Sequence, residues 1–177
     1  MTQFIAFLRA INVGGHVVKM DRLRSLFESL GFSSVETFIA SGNVLFETRS
    51  SDSAALEKKI EAKLKEALGF DSVAFLRTNT DLKAVAVYKP FPQSQLDSAT
   101  AFNVAFLKEP PDAAAQKKVL SLKTAIDDFH IHGRELYWLC KKKQSESTFS
   151  NAVLEKALGK PSTLRGMGTV GKIAAKF

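Results

Sequence analysis

The side chains in this sequence best suited to chemistry at neutral pH are His16, His130, His132 and the single cysteine, Cys140. A thiol nucleophile needs a base within hydrogen-bond reach. Cys140 ends the run Glu135 to Cys140, which Gly133-Arg134 separates from Ile126 to His132, a spacing that predicts a hairpin with a two-residue turn. In that hairpin Ile131 pairs with Leu136, Phe129 with Trp138 and Asp127 with Cys140 on one face, while His130, His132 and Tyr137 point to the other. The cysteine therefore belongs to the apolar side and no histidine can serve as its base. Two histidines at i and i+2, without Cys, Asp or Glu at a recognised ligand spacing, do not make a zinc signature. They read as exposed sheet residues, and neither a metal nor a cofactor is expected. Asp127 and Asp128 are adjacent on a strand and face opposite ways, so they cannot work as a close carboxylate pair.

Anion recognition is the chemistry the remaining residues favour. Arg9-Ala10-Ile11-Asn12-Val13-Gly14-Gly15-His16 stands between an apolar run and a helical pattern that follows Lys19. Gly14 and Gly15 permit backbone conformations closed to other residues and let a ligand approach main-chain N–H groups, and the helix start beyond them favours negative charge. Arg9 and Lys19 add cations. The segment is not a Walker loop, because GxxxxGK[ST] is absent. A second polar cluster, Ser41-Gly42-Asn43, lies at a hairpin turn; the alternative reading is a turn stabilised by its own Ser and Asn side chains.

The elements that must position these residues follow from periodicity. Thr2 to Ala10 is nearly all apolar and reads as a central strand. Met20, Leu23, Phe27 and Leu30 recur at helical spacing before Gly31. Val35 to Ile39 and Val44 to Phe46 flank the Ala40-Ser41-Gly42 turn as a hairpin. Leu56, Ile60, Leu64 and Leu68 mark a second helix ending at Gly69, and Val73 to Arg77 is a fourth strand. That order is the β-α-β-β-α-β plait in residues 1–78. Residues 79–177 repeat it: a connecting helix from Asn79 to Tyr88, a linker around Pro90 and Pro92, and a strand from Phe102 to Leu107. A helix after Pro110-Pro111-Asp112, the hairpin described above, a helix ending at Gly159, a short strand Ser162 to Arg165 and a terminal helix Thr169 to Lys176 complete it. The expected fold is thus α+β: two consecutive ferredoxin-like plaits with a connecting and a C-terminal helix, alike in architecture but without residue-level duplication. In each plait the first and third strands are antiparallel neighbours, so Arg9 and Asn12 are expected to approach Ser41 and Asn43.

Composition places the chain among soluble proteins of a reducing compartment. A lone cysteine cannot form an internal disulfide, no apolar run approaches the ~18 residues of a membrane span, and the N-terminus lacks a leader pattern, so the cytoplasm is the default. The net charge is +7, with most of the excess in residues 134–177. Lys141, Lys142, Lys143, Lys156, Lys160, Arg165, Lys172 and Lys176 could contact phosphates, so a nucleic-acid-binding module is one alternative. The strand Ser41 to Phe46, however, lacks the signature of RNA-recognition sheets. A protein-interaction domain using an exposed sheet face is another.

Leu8-Arg9-Ala10-Ile11-Asn12-Val13-Gly14-Gly15 with Lys19-Met20, then Leu30-Gly31-Phe32, Phe38 to Phe46, and Leu154 to Gly159 together resemble the bacterial family called domain of unknown function 1697. The resemblance implies a two-plait protein and brings no activity with it. Where members tend to have Arg-Asn-Trp-Asn-Thr near the C-terminus, this chain has Arg165-Gly166-Met167-Gly168-Thr169, and a Ser-Lys pair ahead of a late helix appears as Ser147-Thr148. The expectation is a site for a small anionic ligand built from Arg9, Asn12, Gly14, Gly15, Lys19, Ser41 and Asn43, with Arg165 and Thr169 closing it from the second plait. Catalysis at that site stays an open alternative, although no residue earns a general acid or base role.

Overall fold

The computed structural model describes residues 1–12 and 15–177. By internal packing the chain divides into one unit of residues 1–84 with 173–177 and a second of residues 85–172. The first unit contains β1 (Thr2–Arg9), α1 (Met20–Ser29), β2 (Ser33–Thr37), β3 (Asn43–Thr48), α2 (Ser53–Leu68) and β4 (Val73–Thr78); α3 (Asn79–Val87) crosses the boundary. In the second unit lie α4 (Gln93–Ser98), β5 (Ala101–Phe106), α5 (Ala113–Leu120), β6 (Asp127–His132), β7 (Glu135–Cys140), α6 (Asn151–Leu158) and β8 (Thr163–Gly166). The last helix, α7 (Met167–Ala174), begins directly from β8. Strand orders are β2-β3-β1-β4 and β6-β7-β5-β8, antiparallel throughout, so both units are ferredoxin-like plaits.

Each plait buries its helix-facing side chains in a core of its own. In the first, Phe4, Ala6, Leu8, Val44, Phe46 and Leu76 project from the sheet against Leu23, Phe27, Leu56, Ile60 and Leu64 of the two helices. Phe46 centres a ring cluster with Phe32 at 4.4 Å and Phe27 at 5.6 Å. Burying each such ring contributes roughly 1.5–3 kcal/mol. In the second, Ala105, Phe129, Leu136 and Trp138 pack with Val119, Phe149 and Leu154. The opposite sheet faces are equally dry: Ile5, Phe7 and Phe75 in one, Val104, Phe106 and Tyr137 in the other, are at most 1% exposed.

The helix ends follow local chemistry. Asp52, Asp112 and Ser150 cap α2, α5 and α6 by accepting from Ala55, Ala115 and Val153. Gly69 and Gly159 close α2 and α6 in the left-handed conformation, as their Leu-Gly endings predict. The register of β6 and β7 also matches expectation, with Asp127 opposite Cys140, Phe129 opposite Trp138 and Ile131 opposite Leu136.

Three expectations need correction. The strand predicted to reach Ile39 ends at Thr37; Ile39 is 55% exposed and has a left-handed backbone with φ 50°. The proline-marked linker contains the short helix α4. The plaits also share more than architecture. Strand register places Ile5-Ala6-Phe7-Leu8-Arg9 where the second unit has Val104-Ala105-Phe106-Leu107-Lys108, since Ile5 lies opposite Arg77 and Val104 opposite Arg165. The equivalence extends to bonds: Leu8 N–H donates to the Gly42 carbonyl at 2.8 Å and Leu107 N–H to that of Arg134 at 2.9 Å. Arg77 and Arg165 each donate from Nη1 to the carbonyl one residue earlier.

Candidate functional site

The end of β1 and the β2–β3 turn form one corner of the first unit. Leu8 N–H reaches the Gly42 carbonyl, and Asn12 Nδ2 donates to the Ala40 carbonyl at 2.8 Å. The other end of the Asn12 amide, Oδ1, accepts from Val18 N–H at 2.6 Å and so ties the approach to α1 to the same corner. Ala10, Asn12 and Ile39 all adopt left-handed backbone, with φ 66°, 57° and 50°. Asparagine tolerates that region; alanine and especially β-branched isoleucine do so at a cost. Gly42, at φ 80°, is required by contact as well, because a Cβ there would lie 3.2 Å from Leu8 Cβ and 3.3 Å from the Leu8 carbonyl.

The sequence-derived residues take distinct roles in this corner. Asn43 is fully buried and donates to the Phe38 carbonyl and to Ser41 Oγ, both at 2.9 Å, so its amide donors hold the turn together. Ser41 itself is exposed, Arg9 is half-buried at the end of β1, and its carbonyl accepts from Ser72 Oγ at 2.7 Å. Lys19 is exposed at the N-terminal cap of α1 and supplies no side-chain cap bond there. Gly15 has φ 85°, and Gly14 lies outside the described residues. His16 stacks on Phe70 with ring centroids 3.9 Å apart. The involvement of Ala40 and Ser72 had no sequence signal, since both act through atoms or contacts set by the fold.

Arg165 and Thr169 belong to the second unit. The Arg165 guanidinium is buried and donates from Nη1 to Thr163 Oγ1 at 2.7 Å and to the Leu164 carbonyl at 2.9 Å; burial lowers its pKa to about 10. Thr169 is half-buried in the first turn of α7.

The histidine face of the second sheet differs from expectation. His132 is exposed, but His130 is half-buried and its Nε2 lies 2.7 Å from the Tyr88 hydroxyl. Tyr88 also stacks on His132 at 4.2 Å. Burial lowers the His130 pKa, and neighbouring His132 adds to the effect against the pull of Asp128. The sequence hid this cluster because Tyr88 lies far from the hairpin along the chain.

Asp127 is a buried carboxylate, with Trp138 Nε1 donating to Oδ1 at 2.9 Å, Thr124 Oγ1 to Oδ2 at 2.9 Å, and Ser147 Oγ within reach of both oxygens. Burial disfavours its charge, but these donors outweigh burial and hold the carboxyl below its ordinary pKa. Burial raises the pKa of Cys140, in line with its place in the core. Among the described residues no group of three or more His, Cys, Asp or Glu could hold a metal ion, and no helix is long and apolar enough to cross a membrane.

Comparison with known proteins agrees with this architecture. No curated protein matches the chain. Among solved structures, conserved bacterial protein SP0830 from Streptococcus pneumoniae is similar over 99% of this chain and 98% of its own, at 26% identity and a TM-score of 0.79. The profile described as "Protein of unknown function (DUF1697)" matches residues 1–137, which contain the whole candidate corner but neither α6 nor the Arg165 to Thr169 segment. With more than half of its length matched, the chain belongs to the DUF1697 family.

Proposed function

We propose that the chain binds a small anionic ligand at the corner formed by residues 9–19 and the turn at Ser41. The reading is carried by the concentration of left-handed, non-glycine backbone at Ala10, Asn12 and Ile39 around one cross-linking side chain, Asn12. At Ala10 and Ile39 such backbone costs of order 1–3 kcal/mol each, and strain of this kind collects at ligand sites. Charge supports the choice of an anion. Arg9 and Lys19 flank the loop, no carboxylate occurs before Asp21, and Lys19 makes no side-chain cap bond at the start of α1, where first-turn N–H groups would serve as donors. Arg9 and Lys19 would supply charge, the α1 N-terminus main-chain donors, and Ser41 orientation, while Asn12 and Asn43 hold the frame. The lone buried Cys140 supports a cytoplasmic setting.

The basic C-terminal segment gives weaker support to nucleic-acid binding. Lys160 is paired with Glu109, Lys176 with Glu36, and Arg165 is buried, so its cations do not form an uninterrupted exposed stripe.

Thermal unfolding in the presence of inorganic phosphate, sugar phosphates and nucleotides tests the anion reading. A ligand at 100 times its Kd should stabilise the protein by about 2.7 kcal/mol. The effect should saturate and disappear in the Arg9→Ala/Lys19→Ala double variant. A flat response in wild type, or an undiminished one in the variant, overturns the proposal.

A further inference from the structure

A buried amide of β5 and the start of α7 come together in the second unit. Asn103 lies opposite Trp138 on β7 and opposite Gly166 on β8, on the face that Ala105 turns to the core. The residue is 6% exposed, and its Nδ2 has no hydrogen-bond partner among the described residues. A buried donor kept in that state points to an acceptor from outside the chain.

Gly166 supplies the other half of the site. It ends β8 and immediately precedes α7, the position from which a Ser, Asp or Asn side chain accepts from the second or third N–H of a helix. Asp52 and Asp112 do this for α2 and α5, at 3.1 and 2.8 Å. Glycine carries no such acceptor. The N–H groups that a capping side chain at Gly166 would bind are those of Gly168 and Thr169, which the helix cannot satisfy from within. The space for that side chain is open: apart from its chain neighbours, a Cβ on Gly166 would meet only Asn103 Oδ1, at 3.8 Å. Rotation about the last torsion of Asn103, which is broad and roughly two-fold, turns Nδ2 to the same place.

The donors select the occupant. Strand alternation turns Arg165 to the opposite face, where its guanidinium donates to Thr163 and to the Leu164 carbonyl, so the groups around Gly166 that bind are a neutral amide and main-chain N–H groups. Their positive field is that of a helix end, about half a unit charge, which matches one negative charge better than two. A carboxylate carries one charge on two oxygens, and it is the group that a capping aspartate would have brought. We infer that the start of α7 binds the carboxylate of a small ligand, with one oxygen on the Gly168 and Thr169 N–H groups and the other on Asn103 Nδ2.

Amide-resolved NMR titration of the full chain with acetate tests the inference. Saturable shifts are expected at the Gly168 and Thr169 N–H groups and at the Asn103 side-chain amide, and none there with acetamide, the neutral molecule of the same shape. Inorganic phosphate should bind at this place at least about tenfold more weakly, a difference of 1.4 kcal/mol. Asn103→Leu should weaken acetate by a similar factor. Gly166→Asp puts a carboxylate on the chain itself, and the 3.8 Å clearance and a backbone that needs no left-handed φ leave room for it. It should abolish the acetate shifts and melt at a higher temperature than Gly166→Ala, which fills the same space without an acceptor. The absence of saturable acetate shifts at these groups, as when a water alone satisfies Asn103, overturns the site, and so does an undiminished response in either Asn103→Leu or Gly166→Asp. Phosphate binding here as tightly as acetate overturns the carboxylate assignment. The acetate shifts should survive in the Arg9→Ala/Lys19→Ala double variant, so this site and the anion corner can fail separately; their loss in that variant would trace the response to the corner and overturn a site at α7.

Discussion

Asn12 joins two loops through both ends of one amide: Nδ2 donates to the Ala40 carbonyl at 2.8 Å and Oδ1 accepts from Val18 N–H at 2.6 Å. Asn12→Ala removes both bonds and also places a β-carbon at φ 57° without the tolerance of asparagine. With each bond contributing about 0.5–1.5 kcal/mol net, roughly 1–3 kcal/mol should be lost. Asn12→Gly loses the same bonds but not the backbone tolerance, so it should exceed the alanine variant by about 1 kcal/mol. Urea unfolding of the pair checks this; equal midpoints would show that the left-handed backbone carries no cost.

Glycines in the same chain should respond with opposite signs. Gly42→Ala meets Leu8 within 3.2 Å at a left-handed φ of 80°, so it should cost about 2 kcal/mol or more. Gly168 lies in α7 with nothing within 4 Å of an added Cβ and needs no left-handed backbone. Gly168→Ala should therefore stabilise by about 0.5–1 kcal/mol through helix propensity. The melting temperatures should move in opposite directions; a stabilised Gly42→Ala would contradict the close approach at the corner.

Ser147 gives the fold a measurable acid sensitivity through Asp127. Folding depresses the Asp127 pKa, so its contribution is complete above the unfolded value of about 3.9 and is lost as pH falls through the lower folded value. Ser147→Ala removes a donor to both carboxylate oxygens and should cost about 1.5–3 kcal/mol at pH 7. That deficit should shrink in acid as the carboxyl protonates. Unfolding free energies of wild type and variant at neutral and acidic pH measure it, and a pH-independent difference would assign the loss to packing.

These residues also show what the sequence could and could not reveal. The β6–β7 register follows from the two-residue turn at Gly133-Arg134, because a period of two leaves no freedom once the turn is set. The meeting of Asn12 with the β2–β3 turn follows from plait topology. Ile39 misled because an alternating pattern continues through it while its backbone has already left the strand. Helix α4 is short and mostly polar, so it carries no apolar period to detect. The residue-level repeat was hidden by unequal connections: Ile5 to Arg9 aligns with Val104 to Lys108, but the shorter β5–α5 loop shifts every later equivalence. Asn12 was visible as a polar residue in a glycine loop; its structural role at Ala40 required the third dimension.

His130 adds a second pH dependence, closer to neutrality. Burial and the nearby His132 lower its folded pKa, while Asp128 pulls the other way. Stability from neutral His130 is therefore complete above the unfolded value of about 6.5 and is lost as pH falls through the lower folded value. Unfolding free energy should rise between pH 5 and pH 7.5, and His130→Gln should flatten that rise. Tyr88→Phe should cost about 1 kcal/mol at the higher pH, where the neutral ring can accept the phenol proton. An unchanged slope in His130→Gln would place the titration elsewhere.

Asn103 tests the correspondence between the plaits from the core side. It occupies the register position that Phe4 holds in the first unit, and it lies beside Trp138 and Gly166 on the neighbouring strands. Only 6% of it is exposed, yet its Nδ2 has no hydrogen-bond partner among the described residues. An unsatisfied buried donor costs about 1–3 kcal/mol, and replacing it with an apolar group of similar size breaks no bond there. Asn103→Leu should therefore raise the urea midpoint. Asn103→Asp should lower it steeply at pH 7 and less so in acid, since it buries a charge without a counterion. Gly166 leaves room for the leucine, because even an added Cβ at that glycine would stand 3.8 Å from Asn103 Oδ1. A destabilised Asn103→Leu would mean that the amide is satisfied in solution by a water or a bound molecule, and the neighbourhood of Gly166 would then become a place to search for it.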